Sequence, residues 1–399
     1  MNFLKYLFLF LLTVYALLWI TDTTYLISGV QKTYLRGNNT ANIDDKDDFP
    51  FRVISTQNPT ELEKAENYNQ IPLDDSLQSY LKQYKTASFL ILKSGKLANE
   101  TYFEPYNQKS QTNSFSMAKS VVSLLMAVAI EEGKIKSLKQ PITDFLPEFG
   151  ADPLAQKCTV GDLSAMTSGY SWREDYTLPV NEMAKSYYGT ELEKLIFSMP
   201  FKIEPGSKFE YQSGTTQILA ILLQRATGKS LAEYASEKLW KPLEMESDAY
   251  WSLDKKDGIE KAFCCIHSSA RDFAKLGQLM LDEGKYKGKQ IVPRWFVSLS
   301  TKPGIHPSYG YSFWTFYNNQ NGLPDFYQFQ GHLGQYIIVV PSYDLVIVRT
   351  GSDREAEEPS FDGQNKSVLQ FPLVREAIKM YPKKSSAFVE QVKGLFERK

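Results

Sequence analysis

Residues 120–130 read SVVSLLMAVAI. With SMAK ahead of them and Gly133 behind, they predict a helix that is apolar on nearly every face. Such a helix has to run through the middle of a core, with other elements packed all round it. One residue resists that placement. Lys119 stands at the mouth of the apolar run, three places after Ser116. A buried ammonium is costly unless it is paired or loses its proton. Residues i and i+3 share a helix face, so the Ser116 hydroxyl and the Lys119 amine come within reach of each other. The helix N-terminus also aims N–H groups and positive dipole at whatever Ser116 attacks. A lysine held in apolar surroundings has a lowered pKa and, once neutral, can take a serine's proton. Alone, S-x-x-K is a weak signal, because a helix cap with a snorkelling lysine spells the same letters.

At 399 residues the chain has room for one large domain or two interleaved ones. Its 43% apolar and 23% charged residues exclude a disordered majority, and a net charge of −1 offers no basic field for nucleic acid. The N-terminus departs from this picture: Lys5 is followed by fifteen uncharged residues, Tyr6 to Ile20. Residues 1–21 thus read as a signal peptide or a signal anchor. The run ends ALLWITD without the small residues of a cleavage site, which favours an uncleaved anchor. Lys5 then stays cytoplasmic and the bulk of the chain is exported, anchored in the inner membrane and facing the periplasm or the cell exterior.

An odd count of three cysteines, Cys158, Cys264 and Cys265, leaves at least one free thiol. Neighbouring cysteines rarely bridge each other, and a pairing of Cys158 with one of the two stays open. His267, His306 and His332 lie far apart with no ligand spacing, so no metal is expected.

Residues 22–85 are polar and mixed, and NNTANIDDKDDFP within them reads as an exposed linker. From residue 86 to the end a single domain is expected. ASFLILKSGKLANETYF predicts two strands joined at Ser-Gly-Lys. Helical patterns dominate about 140–285, then FYQFQ and QYIIVVPSYDLVIVRTG return to strands. A last helix is expected at PLVREAIKMY or FVEQVKGLF. The fold class is therefore α+β: an antiparallel sheet from N- and C-terminal segments, flanked by helices, around a large helical insertion. There is no internal repeat.

A second motif supports the first. In EPGSKFEYQSGTTQILA, Tyr211 and Ser213 form Y-x-S just before another apolar helix. By itself Tyr211 reads as a core aromatic with its hydroxyl satisfied, but beside a Ser/Lys pair a desolvated phenol can shuttle protons. SMAK, TVGDLSAMTSGYSW, this Y-x-S segment, ARDFAKLGQLMLDEGKYKGKQIVP and GHLGQYIIVVPSYDLVIV occur in that order. Together they resemble the β-lactamase-related serine hydrolases over about residues 85–355. That group includes class C β-lactamases, serine D-amino-acid peptidases, esterases of β-lactamase fold and 6-aminohexanoate-dimer hydrolases. SFSMAKS and GHLGQYIIVVP are most similar to the last of these. The resemblance implies a β-lactamase/transpeptidase-like fold and no cofactor. It makes Ser116 the nucleophile, Lys119 the base and Tyr211 the proton relay to the leaving group. Ser213 stands where asparagine is common, keeping an oxygen but losing the amide's donor pair.

The family's edge strand usually carries K/H-x-G, which His332-Leu333-Gly334 matches. Yet the next strand begins at Gln335, leaving nothing to turn the chain. GHLG is then the turn itself, the strand positions are Phe329-Gln330-Gly331, and the oxyanion donors are the backbone N–H groups of Ser116 and His332. The His332 ring reads either as a participant or as a surface turn histidine. Phe329 replaces the lysine that grips a penicillin carboxylate, which turns the expectation toward an ester or neutral amide. SWREDY after MTSGY resembles the substrate-facing loop of the oligomer hydrolases, placing Tyr176, and with it Trp172, Phe329 and Gly331, in the substrate cleft.

The leading expectation is a membrane-anchored serine hydrolase acting through an acyl-enzyme on a small or peptide-like ester or amide. The alternatives are a peptidoglycan peptidase or weak β-lactamase, an inactive binding module of the same fold, and a structural envelope protein. The joint presence of Ser116, Lys119 and Tyr211 argues against the last two.

Overall fold

A computed structural model describes residues 2–317, 322–354, 358–359, 365–366 and 369–383. The strands used below are β1 (Phe51–Ile54), β2 (Thr86–Lys93), β3 (Lys96–Tyr102), β4 (Gln111–Asn113), β5 (Ala249–Ser252), β6 (Ile266–Ser269), β7 (Trp314–Phe316), β8 (Phe326–Gly331), β9 (Gln335–Val340) and β10 (Leu345–Gly351). The helices used below are α1 (Asn2–Ile20), α2 (Tyr25–Lys32), α3 (Asp75–Gln83), α4 (Met117–Glu131), α5 (Glu182–Tyr188), α6 (Ser213–Thr227), α7 (Ala270–Leu281) and α8 (Gln370–Met380).

The main sheet is antiparallel, in the order β3-β2-β10-β9-β8-β7, so segments from both ends of the domain meet in it as expected. The β2–β3 hairpin turns at Ser94 and Gly95, both at positive φ (+51° and +77°), the geometry that matches strand twist. Alternation along the strands feeds two cores. Leu90 and Leu92 of β2 with Val346 and Val348 of β10 face the core that holds α4, α6 and α7. Phe89, Ile91, Leu345 and Ile347 face a second one, closed by α3 and α8. All of α4 from Met117 to Ala129 is buried, which gives the apolar run its central place. PLVREAIKMY falls in α8, and FVEQVKGLF lies outside the described residues.

Two expectations need correction. A second sheet, ordered β1-β5-β6-β4, crosses the helical region; β5 and β6 are four residues each, too short to show a period. Residues 38–50, NNTANIDDKDDFP, also do not form an exposed linker. Ile43, Phe49 and Ile54 are buried in the main core, and β1 pairs with β5. Isolated apolar residues in a polar stretch carry no periodic signal, yet these three find sockets. α1 stands apart: Phe3–Ile20, with mean hydropathy 2.1 and nothing buried, is long and apolar enough to cross a membrane.

Candidate active site

The second sheet aims the serine. β4 pairs with β6, and past its end the Ser114 N–H donates to the Ile266 carbonyl at 2.8 Å. The Ser114 hydroxyl accepts from the Ile266 N–H at 3.1 Å, so the chain is clamped just before the helix. Phe115 then takes a left-handed φ of +44°, a strained conformation for a bulky residue that throws the chain from strand into α4. Ser116 sits at the N-cap of α4, partly exposed, and its N–H meets no acceptor among the described residues.

Lys119, one turn on, is 1% exposed and donates to Ser116 Oγ at 2.8 Å and to the Phe263 carbonyl at 3.1 Å. Burial pulls its pKa down to about 8, against the weaker opposing pull of the Glu174 charge. The amine lies 4.9 Å from the centroid of the Tyr211 ring. Burial and then the Glu174 charge push the phenol above its ordinary range, while the Ser116 hydroxyl near it acts to lower its pKa, so tyrosine is the neutral partner.

His332 begins the β8–β9 turn and β8 ends at Gly331, which is the register expected from the sequence. Leu333 and Gly334 follow at φ +59° and +78°. The His332 ring is no surface ornament: it packs edge-on to Phe115 at 5.5 Å and parallel to Tyr176 at 5.4 Å. Burial, then the Arg354 charge, lowers its pKa to about 3, so the imidazole is neutral. Gly331 does not face a substrate. A Cβ there would stand 2.2 Å from the Ser114 carbonyl oxygen, so glycine is what lets β8 close on the chain carrying Ser116. Phe329 is not in the cleft either: fully buried, it points by strand alternation into the core against Phe313, at 4.8 Å. Trp172 is likewise a packing residue, 4% exposed and stacked on Tyr170 at 6.4 Å.

Ser213, fully buried, spends both donors on one carboxylate. Its N–H and hydroxyl each reach Glu174, at 2.7 Å. Trp172 Nε1 donates to the same carboxylate at 3.0 Å, and the half-exposed Tyr176 adds its hydroxyl. Sequence reasoning missed Glu174, although E-x-Y inside SWREDY places it two residues from the expected Tyr176. The cysteines also differ from expectation. Cys264 and Cys265 bridge each other across a tight turn, with Cα atoms 3.7 Å apart and Cys265 at φ +75°, while Cys158 is buried and free. Ser116, Tyr176, Ser213, Phe263, Cys264 and His332 share one cavity of about 200 Å³.

A residue outside the cavity holds the turn. Arg349 of β10, fully buried, donates to the Leu333 and Gly334 carbonyls at 2.7 and 2.8 Å, to Thr86 Oγ1 at 3.1 Å and to the Asp353 carbonyl at 3.0 Å. Arg349→Met should therefore lower kcat by roughly tenfold to a hundredfold with little change in KM, by loosening the turn that carries the His332 N–H. Steady-state kinetics beside Arg349→Lys, which restores part of the donor set, checks it. A rise in KM alone would locate the effect elsewhere.

The model of the Beta-lactamase family matches residues 73–366, most of the chain. This chain belongs to the Beta-lactamase family. Within that family it is similar to the 6-aminohexanoate-dimer hydrolase of Paenarthrobacter ureafaciens, 25% identical over 73% of this chain and 79% of that protein. It is also similar to the N-acetylmuramyl-L-alanine amidase of Bacillus subtilis strain 168, 24% identical over 67% of this chain and 71% of the relative. Among solved structures, a candidate 6-aminohexanoate-dimer hydrolase from Bacillus anthracis superposes with a TM-score of 0.73 at 24% identity, covering 87% of this chain and 94% of the other. A family VIII carboxylesterase gives 0.60 at 17% identity, over 80% and 98% of the two chains. These likenesses establish the β-lactamase/transpeptidase-like α+β fold of the Beta-lactamase family member described here.

Proposed function

We propose that this Beta-lactamase family member is a serine hydrolase that cleaves an ester or neutral amide through an acyl-enzyme. Ser116 Oγ attacks the carbonyl carbon and passes its proton to the Lys119 amine. The backbone N–H groups of Ser116 and His332 hold the oxyanion. The tetrahedral species collapses, the bond to the leaving group breaks, and the proton leaves with the alcohol or amine through Tyr211. Water then adds to the acyl-enzyme, releasing the acid and restoring Ser116. Glu174 keeps Ser213 and Tyr176 in place around this centre.

The observation that carries the reading is an amine with a pKa near 8 at 2.8 Å from the serine oxygen, in a place closed to bulk water. The names of the amide-cleaving relatives and of the carboxylesterase neighbour are compatible with it. No lysine lines the cavity among the described residues, which weighs against strong β-lactamase activity, since that depends on gripping a carboxylate. We read α1 as an uncleaved anchor that leaves the domain outside the inner membrane; its 19 residues span about 28 Å, close to the hydrocarbon thickness.

The test joins a label to a pH profile. A fluorophosphonate probe should modify Ser116, located by peptide mass spectrometry. Because the neutral amine is the active form and its pKa is lowered to about 8, kcat/KM for an ester should climb from pH 6 and level off above about 9. An adduct on another residue, or a rate that falls across that window, would overturn the assignment.

A further inference from the structure

The cavity around Ser116 is walled in part by the first folded segment after the membrane-capable helix. Residues 21–24 alone separate α1 from α2, and Leu26, Gly29 and Val30 of α2 line the same cavity as Ser116. α2 is fastened to the segment that supplies the facing residues. The Tyr25 hydroxyl donates to the Pro179 carbonyl at 3.3 Å, and Lys185 of α5 pairs with Asp22. Gly29 lies against the Tyr188 ring, where a Cβ would be 3.4 Å away. The segment that directly follows α1 is therefore part of the cavity wall.

That side is apolar. Val30 and Leu178 line the cavity while being 44% and 51% exposed, and Ile27 and Val180 beside them are 38% and 56% exposed. Among the described lining residues Asp175 is the one acidic or basic side chain besides the neutral His332. Its carboxylate is already taken up by the Thr177 N–H and hydroxyl, at 2.8 and 2.7 Å. The lining thus offers plenty of surface to methylenes, while the Arg354 charge is felt at His332 and Tyr211 from outside it.

We propose that the acyl half of the substrate is a long unbranched aliphatic chain, carried by an ester or amide amphiphile that reaches Ser116 from the membrane surface. This rests on the hydrolase reading above and specifies its substrate class. The acyl half is the part that stays on Ser116 after the leaving group departs, so an apolar wall beside Ser116 serves it best. Exposed apolar side chains next to an anchor suit the interface where such amphiphiles reside. The chemistry is unchanged: the Ser116 Oγ–acyl bond forms, the bond to the alcohol or amine breaks, and one water is consumed in freeing the fatty acid.

The test uses the full-length protein in phosphatidylcholine vesicles with p-nitrophenyl acetate, butyrate, octanoate and laurate. We expect kcat/KM to rise tenfold or more from acetate to laurate. Val30→Asp should cut the laurate-to-acetate ratio at least tenfold, a ratio that cancels the amount of folded protein. Leu178→Asp, on an exposed loop, should do the same and decides the matter if Val30→Asp fails to fold. A flat or falling series, with acetate hydrolysed by wild type and not by Ser116→Ala, overturns this inference and leaves the hydrolase reading standing. A rising series that neither substitution changes overturns it too, because the chain then lies elsewhere. If no acyl compound is cleaved at all, both readings fall.

Discussion

Ser116→Ala should keep the fold and lower ester or amide turnover by about three orders of magnitude or more, the scale seen when an activated nucleophile is removed. Little else changes with the oxygen. The residue is a partly exposed N-cap whose side chain makes no capping bond, so the helix loses no cap. Lys119 keeps its bond to the Phe263 carbonyl at 3.1 Å. The turn carrying His332 is held by Arg349 and by the Gly331–Ser114 approach, neither of which involves the hydroxyl. A small residual rate is expected from the two N–H groups alone. The measurement is turnover of one ester by purified variant and wild type, with circular dichroism to confirm equal folding. A variant retaining a tenth of the wild-type rate would mean that another group, or a water activated by Lys119, does the attacking.

Lys119→Met should abolish activity and make the protein more stable near neutral pH. Burial has lowered the amine's pKa from 10.5 to about 8, so holding the charged form inside costs about 3 kcal/mol below pH 8. Methionine removes that cost in a side chain of similar length. It also strands the Phe263 carbonyl, worth about 1 kcal/mol in the other direction. A net gain of about 2 kcal/mol is expected at pH 7 by denaturant unfolding. The sign over pH follows from proton counts. Between pH 8 and 10.5 the unfolded wild type binds more protons than the folded one, so wild-type stability rises through that window. The advantage of Lys119→Met should therefore shrink as pH rises and be gone by about pH 10.5. A variant less stable than wild type at pH 7 would mean that the amine is better paired than its two hydrogen bonds suggest.

What could be read in the sequence was whatever depends on local spacing. The α4 helix, the Ser116–Lys119 pair, the Ser-Gly-Lys hairpin and the GHLG turn are each set within a few residues, and each stands where its letters point. Glu174 was not legible because its role exists only where the 172–176 segment meets the start of α6, 39 positions from Ser213. Phe329 and Trp172 were misplaced for a related reason: an aromatic near a site motif looks the same whether it faces a cavity or the core behind it. The bridge between Cys264 and Cys265 needed the left-handed φ at Cys265, which no neighbouring residue type announces. Residues 22–72 were the largest gap. Their contacts, such as Asp45 accepting from Asn113 at 2.9 Å or Ile43 packed in the main core, are long-range.

The α2 wall bears on how a soluble version should be trimmed. Homology would suggest starting at residue 73, where the family match begins, and that shortened chain would still carry Ser116, Lys119 and Tyr211. It would also be unroofed on the side where Leu26 and Val30 now sit. It would lose β1 from the edge of its sheet and leave Asn113, three residues before Ser116, without the Asp45 carboxylate. Removing only α1, with the new start placed among residues 21–24, keeps the roof on and discards the greasy handle.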